Sequence, residues 1–136
     1  MSKYKLVQTE FRNGASLKLA LDDLKIHYSA GVLNQNSQTL KTEWLMHDSH
    51  QSCAIAVQAD DIRKVRGFGF GGIGFSWTGK GYDLIADVHD NNDETITKLR
   101  QRYAFHEVSR QARAKGYTIR ETTTDSGVIR MTLVKR

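Results

Sequence analysis

YDLIADVHDNNDETITKLRQRYAFHEVSRQARAKGY, residues 82–117, holds the pattern that sets the fold. Tyr82–Val88 (YDLIADV) is apolar and β-branched enough for a strand, and Asp90–Glu94 (DNNDE) supplies turn chemistry after it. Thr95 then reads as the N-cap of a long helix from Ile96 to about Lys115, with Gly116 at the C′ position. Downstream, Tyr117–Thr124 and Val128–Val134 flank Asp125-Ser126-Gly127 and read as a β-hairpin. Upstream, Tyr4–Phe11 reads as a strand, and Asn13 offers a cap for a helix over Ala15–Leu24. Leu17, Ala20, Leu21 and Leu24 fall at i, i+3, i+4 and i+7, one apolar stripe facing a core. Ile26–Leu33 suggests a further strand, and Thr39–Met46 another paired with it. His47–His50 looks like a turn, and Cys53–Val57 (CAIAV) like a short buried strand. Strands outnumber helices and short turns join several of them. The expected class is α+β, a mostly antiparallel sheet with two helices packed on one face, residues 1–136 forming a single domain.

The chain has 136 residues and no proline, where average usage near 5% would supply about seven. That excludes a polyproline linker or proline-rich tail. Hydrophobic content of 39% and charged content of 26% are those of a globular chain. No apolar run approaches the roughly eighteen residues of a membrane span. No signal core follows Met1–Lys5, so a cytoplasmic protein without a membrane span is expected. A lone cysteine, Cys53, rules out an intrachain disulfide and any multi-cysteine zinc site. The net charge of +5 is uneven. Residues 1–94 carry ten Lys/Arg against twelve Asp/Glu, whereas residues 95–136 carry ten against three. A basic C-terminal third is either an electrostatic footprint for an acidic partner or nucleic acid, or an ordinary solvated face.

Three stretches together carry a family resemblance: GFSWTGKGYDLIADV (74–88), QRYAFHEVSRQARAKGY (101–117) and DSGVIRMTLV (125–134). With the opening strand and helix they resemble the "hypothetical chloroplast reading frame 35" family, a small uncharacterised domain of cyanobacteria, plastids and other bacteria. The resemblance covers about two-thirds of the chain and leaves residues 34–73 largely outside it. It implies a cytoplasmic protein of stromal or cyanobacterial type, and it carries over no catalytic residues.

Several local patterns suggest chemistry. Gly67–Gly72 (GFGFGG) satisfies the dinucleotide pattern G-x-G-x-x-G. That fingerprint needs a helix opening at its last glycine, and Phe75, Trp77 and Tyr82 continue instead in β-type sequence. Arg66-Gly67-Phe68-Gly69-Phe70 looks like the start of an RNA-stacking box: on a strand Phe68 and Phe70 share a face, Gly69 removes bulk, and Arg66 can reach phosphate. Gly71-Gly72-Ile73 then departs from that box, so a glycine-rich bulge or flexible hairpin is the favoured reading.

On the long helix, Ile96, Leu99 and Tyr103 make one apolar line, with Ala104, Val108 and Ala112 beside it. Lys98, Arg102, Ser109 and Arg113 gather opposite. His47, Asp48 and His50, and Asp87, His89, Asp90 and Asp93, cluster acids and imidazoles, but neither spacing matches a standard metal loop. Cys53, inside CAIAV, reads as a buried thiol.

These readings converge on a non-enzymatic domain that binds a macromolecular partner, expected to be a protein, as an accessory or assembly factor, with no cofactor and no metal. The alternative is single-stranded nucleic acid, RNA in particular, held by Arg66, Phe68 and Phe70 together with Lys98, Arg102 and Arg113 of the basic helix.

Overall fold

The computed structural model describes residues 4–44, 47–66, 71–87, 94–123 and 129–135. In chain order these form β1 (Tyr4–Phe11), α1 (Gly14–Asp23), β2 (Ser29–Ala30), β3 (Gln38–Trp44), β4 (His47–Cys53) and β5 (Ile55–Val57). They continue as α2 (Ala59–Arg66), β6 (Ile73–Trp77), β7 (Tyr82–Asp87), α3 (Glu94–Ala114), β8 (Tyr117–Thr123) and β9 (Ile129–Lys135). The architecture is α+β with antiparallel sheets, as the sequence implies. One sheet has five strands in the order β1-β7-β6-β5-β2, and β3–β4 and β8–β9 form two separate two-stranded sheets.

Strand alternation divides the five-stranded sheet into two faces. One presents Ile55, Val57, Ile73, Phe75, Tyr82, Leu84 and Ala86 to Leu17, Ala20 and Leu21 of α1 and to Ile96, Leu99 and Tyr103 of α3. Asn13 starts α1 as expected, its side chain accepting from the Ser16 amide at 3.1 Å, a cap worth about 1 kcal/mol. The Tyr103 hydroxyl accepts from the Arg12 and Asn13 amides at 2.7 and 3.0 Å, and its ring meets Phe11 edge-on at 4.8 Å. Those contacts fix α3 to the turn between β1 and α1.

On the opposite face, Ala56 and Ile85 pack with Leu40 of β3 and Cys53 of β4, all four buried. The β3–β4 hairpin therefore lies over the back of the sheet. The approach is close: a Cβ on Gly74 would meet Cys53 Sγ and Leu40 Cδ2 at 3.2 Å, and one on Gly72 would meet the Val57 carbonyl oxygen at 2.8 Å. Both glycines are buried. The flexible hairpin expected from the glycine-rich run gives way, in its described half, to a strand whose missing side chains make room for a second layer.

Other local expectations also change. Ile26–Leu33 contributes only Ser29–Ala30 to a sheet, and its partner is β5. The chain leaves α1 through Lys25 at φ 58, with Ile26 N–H bonding the Leu21 carbonyl and Lys25 N–H the Asp22 carbonyl. A second left-handed residue, Asn34 at φ 67, bends the far end. β3 pairs instead with β4, Gln38 opposite Cys53 through Trp44 opposite His47, so His47–His50 is strand where a turn was expected. A third helix, α2, joins the two anticipated. The Gln58 carbonyl accepts from the Asp61 and Ile62 amides, Asp60–Arg63 and Asp61–Lys64 pair at i, i+3, and Ile62 is fully buried in the main core. Helix α3 begins at Glu94, which places Thr95 inside its first turn. Gly116, at φ +87, ends it as expected.

Candidate binding face

Helix α3 buries two different sides along its length. Ile96, Leu99 and Tyr103 follow one line, whereas Ser109 and Ala112, at 3.6 residues per turn, lie well round from it. The change matches its neighbours: α1 flanks α3, and β8 and, less extensively, β9 pack against it. The second apolar line expected from the sequence is only partly buried. Ala112 is inside, but Ala104 is exposed and Val108 is 45% exposed, while Ser109 takes a buried place. The Ser109 hydroxyl has no hydrogen-bond partner among the described residues.

The seam between α1 and α3 is polar and satisfied. Asp23, the last residue of α1, accepts from Arg102 Nε at 2.8 Å and Nη2 at 2.7 Å, and His106 Nε2 lies 2.5 Å from the same oxygen. Burial pushes the Asp23 carboxyl up, but the hydrogen bonds from His106 and Arg102 outweigh it and hold the group below its ordinary value. Beside it, Ser16 Oγ donates to Glu107 Oε1 at 2.6 Å and Arg110 closes on the same carboxylate at 3.0 Å. Arg110 and Ser16 hold Glu107 low against a smaller opposing effect of burial. A carboxylate-oriented imidazole is also what a general base requires. Here Arg102 occupies the oxygen that His106 touches, and no nucleophilic side chain is bonded to the ring among the described residues, so the pair works as a helix clamp.

The β8–β9 hairpin carries the other half of the face. Its register sets Tyr117 opposite Lys135, Thr118 opposite Val134, Ile119 opposite Leu133 and Arg120 opposite Thr132. Tyr117 and Ile119 are half-buried on one side of β8, but Leu133, their neighbour on β9, is 46% exposed, as is Val134 on the other side. Arg113 and Lys115 at the end of α3, and Arg120 and Lys135 on the hairpin, are all exposed.

The described residues among those anticipated for nucleic acid lie on two helices, α2 and α3. Phe68 and Phe70 lie outside the described residues, and Arg66 closes α2 where a strand position was expected. Lys98 pairs with Glu94 at 3.2 Å, and Arg102 is held by Asp23 with its guanidinium 4.5 Å from the Phe105 ring centre. Arg113 sits exposed in the last turn of α3 and makes no ion pair among the described residues. Arg113 and the hairpin cations thus lie on elements that pack against one another, which the sequence showed only as a surplus of charge. The exposure of Val108, Leu133 and Val134 had no sequence signal.

Other chemistry is sparse. Among the described residues no three His, Cys, Asp or Glu side chains gather to hold a metal ion. The imidazole and carboxylate clusters at 47–50 and 87–93 lie outside the described side chains. Cys53 is buried as expected, and burial pushes its thiol up, away from the thiolate a nucleophile needs. A shallow polar cleft of about 370 Å³ lies between Thr39, Lys41, Gln58 and Asp60. Gln58 spans it by accepting from the Lys41 amide at 3.1 Å and donating to the Thr39 carbonyl at 2.8 Å, which spends its polar groups on β3. No helix among the described residues is long and apolar enough to cross a membrane.

A family model described as "Protein of unknown function (DUF1257)" matches residues 20–132, running through the 34–73 region that the sequence resemblance left out. "Uncharacterized protein ycf35" of Guillardia theta is 34% identical over 67 residues, covering 45% of this chain and 52% of the relative. The chain thus spans about half the length of the curated relative it matches. No solved structure matches. With 20–132 of its 136 residues matched, the chain belongs to the DUF1257 family of proteins of unknown function.

Proposed function

We propose that this domain is a non-enzymatic binding module that docks an acidic macromolecular partner, a protein, as an accessory or assembly factor. The observation that carries the reading is a coincidence of place. The stretch of the chain with ten Lys/Arg against three Asp/Glu also presents Val108, Leu133 and Val134 to solvent. Exposed apolar groups on packed elements that also carry exposed cations have the makeup of a docking surface, with charge to steer a partner and apolar area to desolvate. The satisfied Asp23–His106 pair, the high-lying Cys53 thiol and the spent Gln58 add support, since each of these groups is engaged in holding the fold. The plastid-type relative supports a stromal or cyanobacterial cytosolic setting.

The test compares the wild-type chain with an Arg113→Glu/Arg120→Glu/Lys135→Glu variant as bait in a nuclease-treated lysate. A protein recovered by the wild type and lost with the variant is the expected result. Recovery indifferent to charge reversal contradicts this face as the docking site. Recovery that vanishes on nuclease treatment favours single-stranded nucleic acid, the second reading.

A further inference from the structure

We propose that β9 takes up an extended, acidic segment of the partner protein as a third strand of the β8–β9 sheet, an inference that rests on the reading above. A two-stranded hairpin is marginal in water unless a helix or further strands cover an apolar face. Here α3 covers that face more fully on β8, where Tyr117 and Ile119 are half-buried, than on β9, where Leu133 is 46% exposed. Every described side chain of β9 from Thr132 to Lys135 is exposed. Beyond the hairpin's own ladder, no backbone hydrogen bond from Tyr117–Arg120 or Thr132–Lys135 is made among the described residues. The outer edge of β9 therefore offers unpaired amides and carbonyls beside a half-covered apolar strip, the two elements that strand addition uses.

Charge selects the occupant. Lys135 and Arg120 on the hairpin and Arg113 and Lys115 at the end of α3 give this end of the molecule a positive field. A second copy of the same edge would bring like charges together. Because side chains alternate across a strand, the matching segment alternates too: apolar residues on the Ile119–Leu133 side, and acidic residues on the side that carries Arg120.

The experiment uses the full chain and two labelled synthetic decapeptides of equal composition, one alternating Glu and Val and one with Glu and Val in separate blocks, with binding followed by fluorescence anisotropy. The alternating peptide should bind about tenfold more tightly than the block peptide and weaken as salt rises. Leu133→Asp, on the apolar side, and Arg120→Glu, on the acidic side, should each weaken it about tenfold, with thermal midpoints near that of the wild type because both positions are exposed. Equal binding of the two peptides, or binding untouched by both substitutions, overturns strand addition. If the alternating peptide fails to bind while the triple charge reversal still loses its lysate protein, strand addition is wrong and the acidic-partner reading stands. If the peptide fails and capture is also indifferent to charge, both fall.

Discussion

The two peripheral hairpins, β3–β4 and β8–β9, have strands of equal length, seven residues each, and ladders of equal extent. They differ in what lies beneath them. The first sets Leu40 and Cys53 against Ala56 and Ile85, sits down on Gly72 and Gly74, and is pinned by both ends of the Gln58 amide. The second has no buried side chain among its described positions and leans mainly on α3. A ladder of backbone hydrogen bonds contributes little net stability once water is counted as the competitor. The covered face separates a structural hairpin from one available to a partner.

The comparison can be broken most forcefully at Leu40. Leu40→Ala should cost about 2–5 kcal/mol in denaturant unfolding, whereas Leu133→Ala, the same change on the other hairpin, should stay within about 0.5 kcal/mol. Similar costs at the two positions would show that β9 has cover after all. Gln58→Leu tests the pin. It removes both side-chain bonds to β3 and should cost about 1–2 kcal/mol, with faster amide exchange confined to β3–β4.

A subtler probe asks whether α3, the platform of the second hairpin, is held rigidly by its clamp to α1. Asp23 is depressed below its ordinary 3.8, so its contribution is present in full above that value and lost as pH falls through the lower folded value. The thermal midpoint of the wild type should exceed that of Asp23→Asn by a steady margin near neutrality, and the gap should close as pH drops below about 3.8. A gap unchanged at low pH would mean that the carboxylate charge is not what joins the helices.

Much of this arrangement was legible from local pattern. Tyr4–Phe11, Tyr82–Asp87 and the Leu17/Ala20/Leu21 stripe announce themselves because each is periodic over a single element, and Asn13 and Gly116 mark their helix ends by side-chain chemistry. What escaped depends on partners distant in sequence. HDSHQSC is too polar to read as a strand and becomes one through residue-by-residue pairing with β3. The glycine run reads as a bulge or flexible hairpin until Leu40, more than thirty residues upstream, is seen packed over Gly72 and Gly74. Ala104 and Val108 read as core because helical spacing cannot tell which side of α3 its neighbours take. The proposed binding face was visible as a charge surplus after residue 95, but its exposed apolar groups were not, since exposure of a leucine or valine leaves no trace in sequence.

Hydrogen exchange resolved to the two hairpins, on the full chain with and without a saturating alternating Glu/Val decapeptide, tests the central claim most directly. Slow exchange is expected in β3–β4 throughout, fast exchange in β8–β9 of the free protein, and marked slowing of β9 when the peptide is present. Equal protection of the two hairpins in the free protein, or a β9 indifferent to the peptide, would contradict the claim.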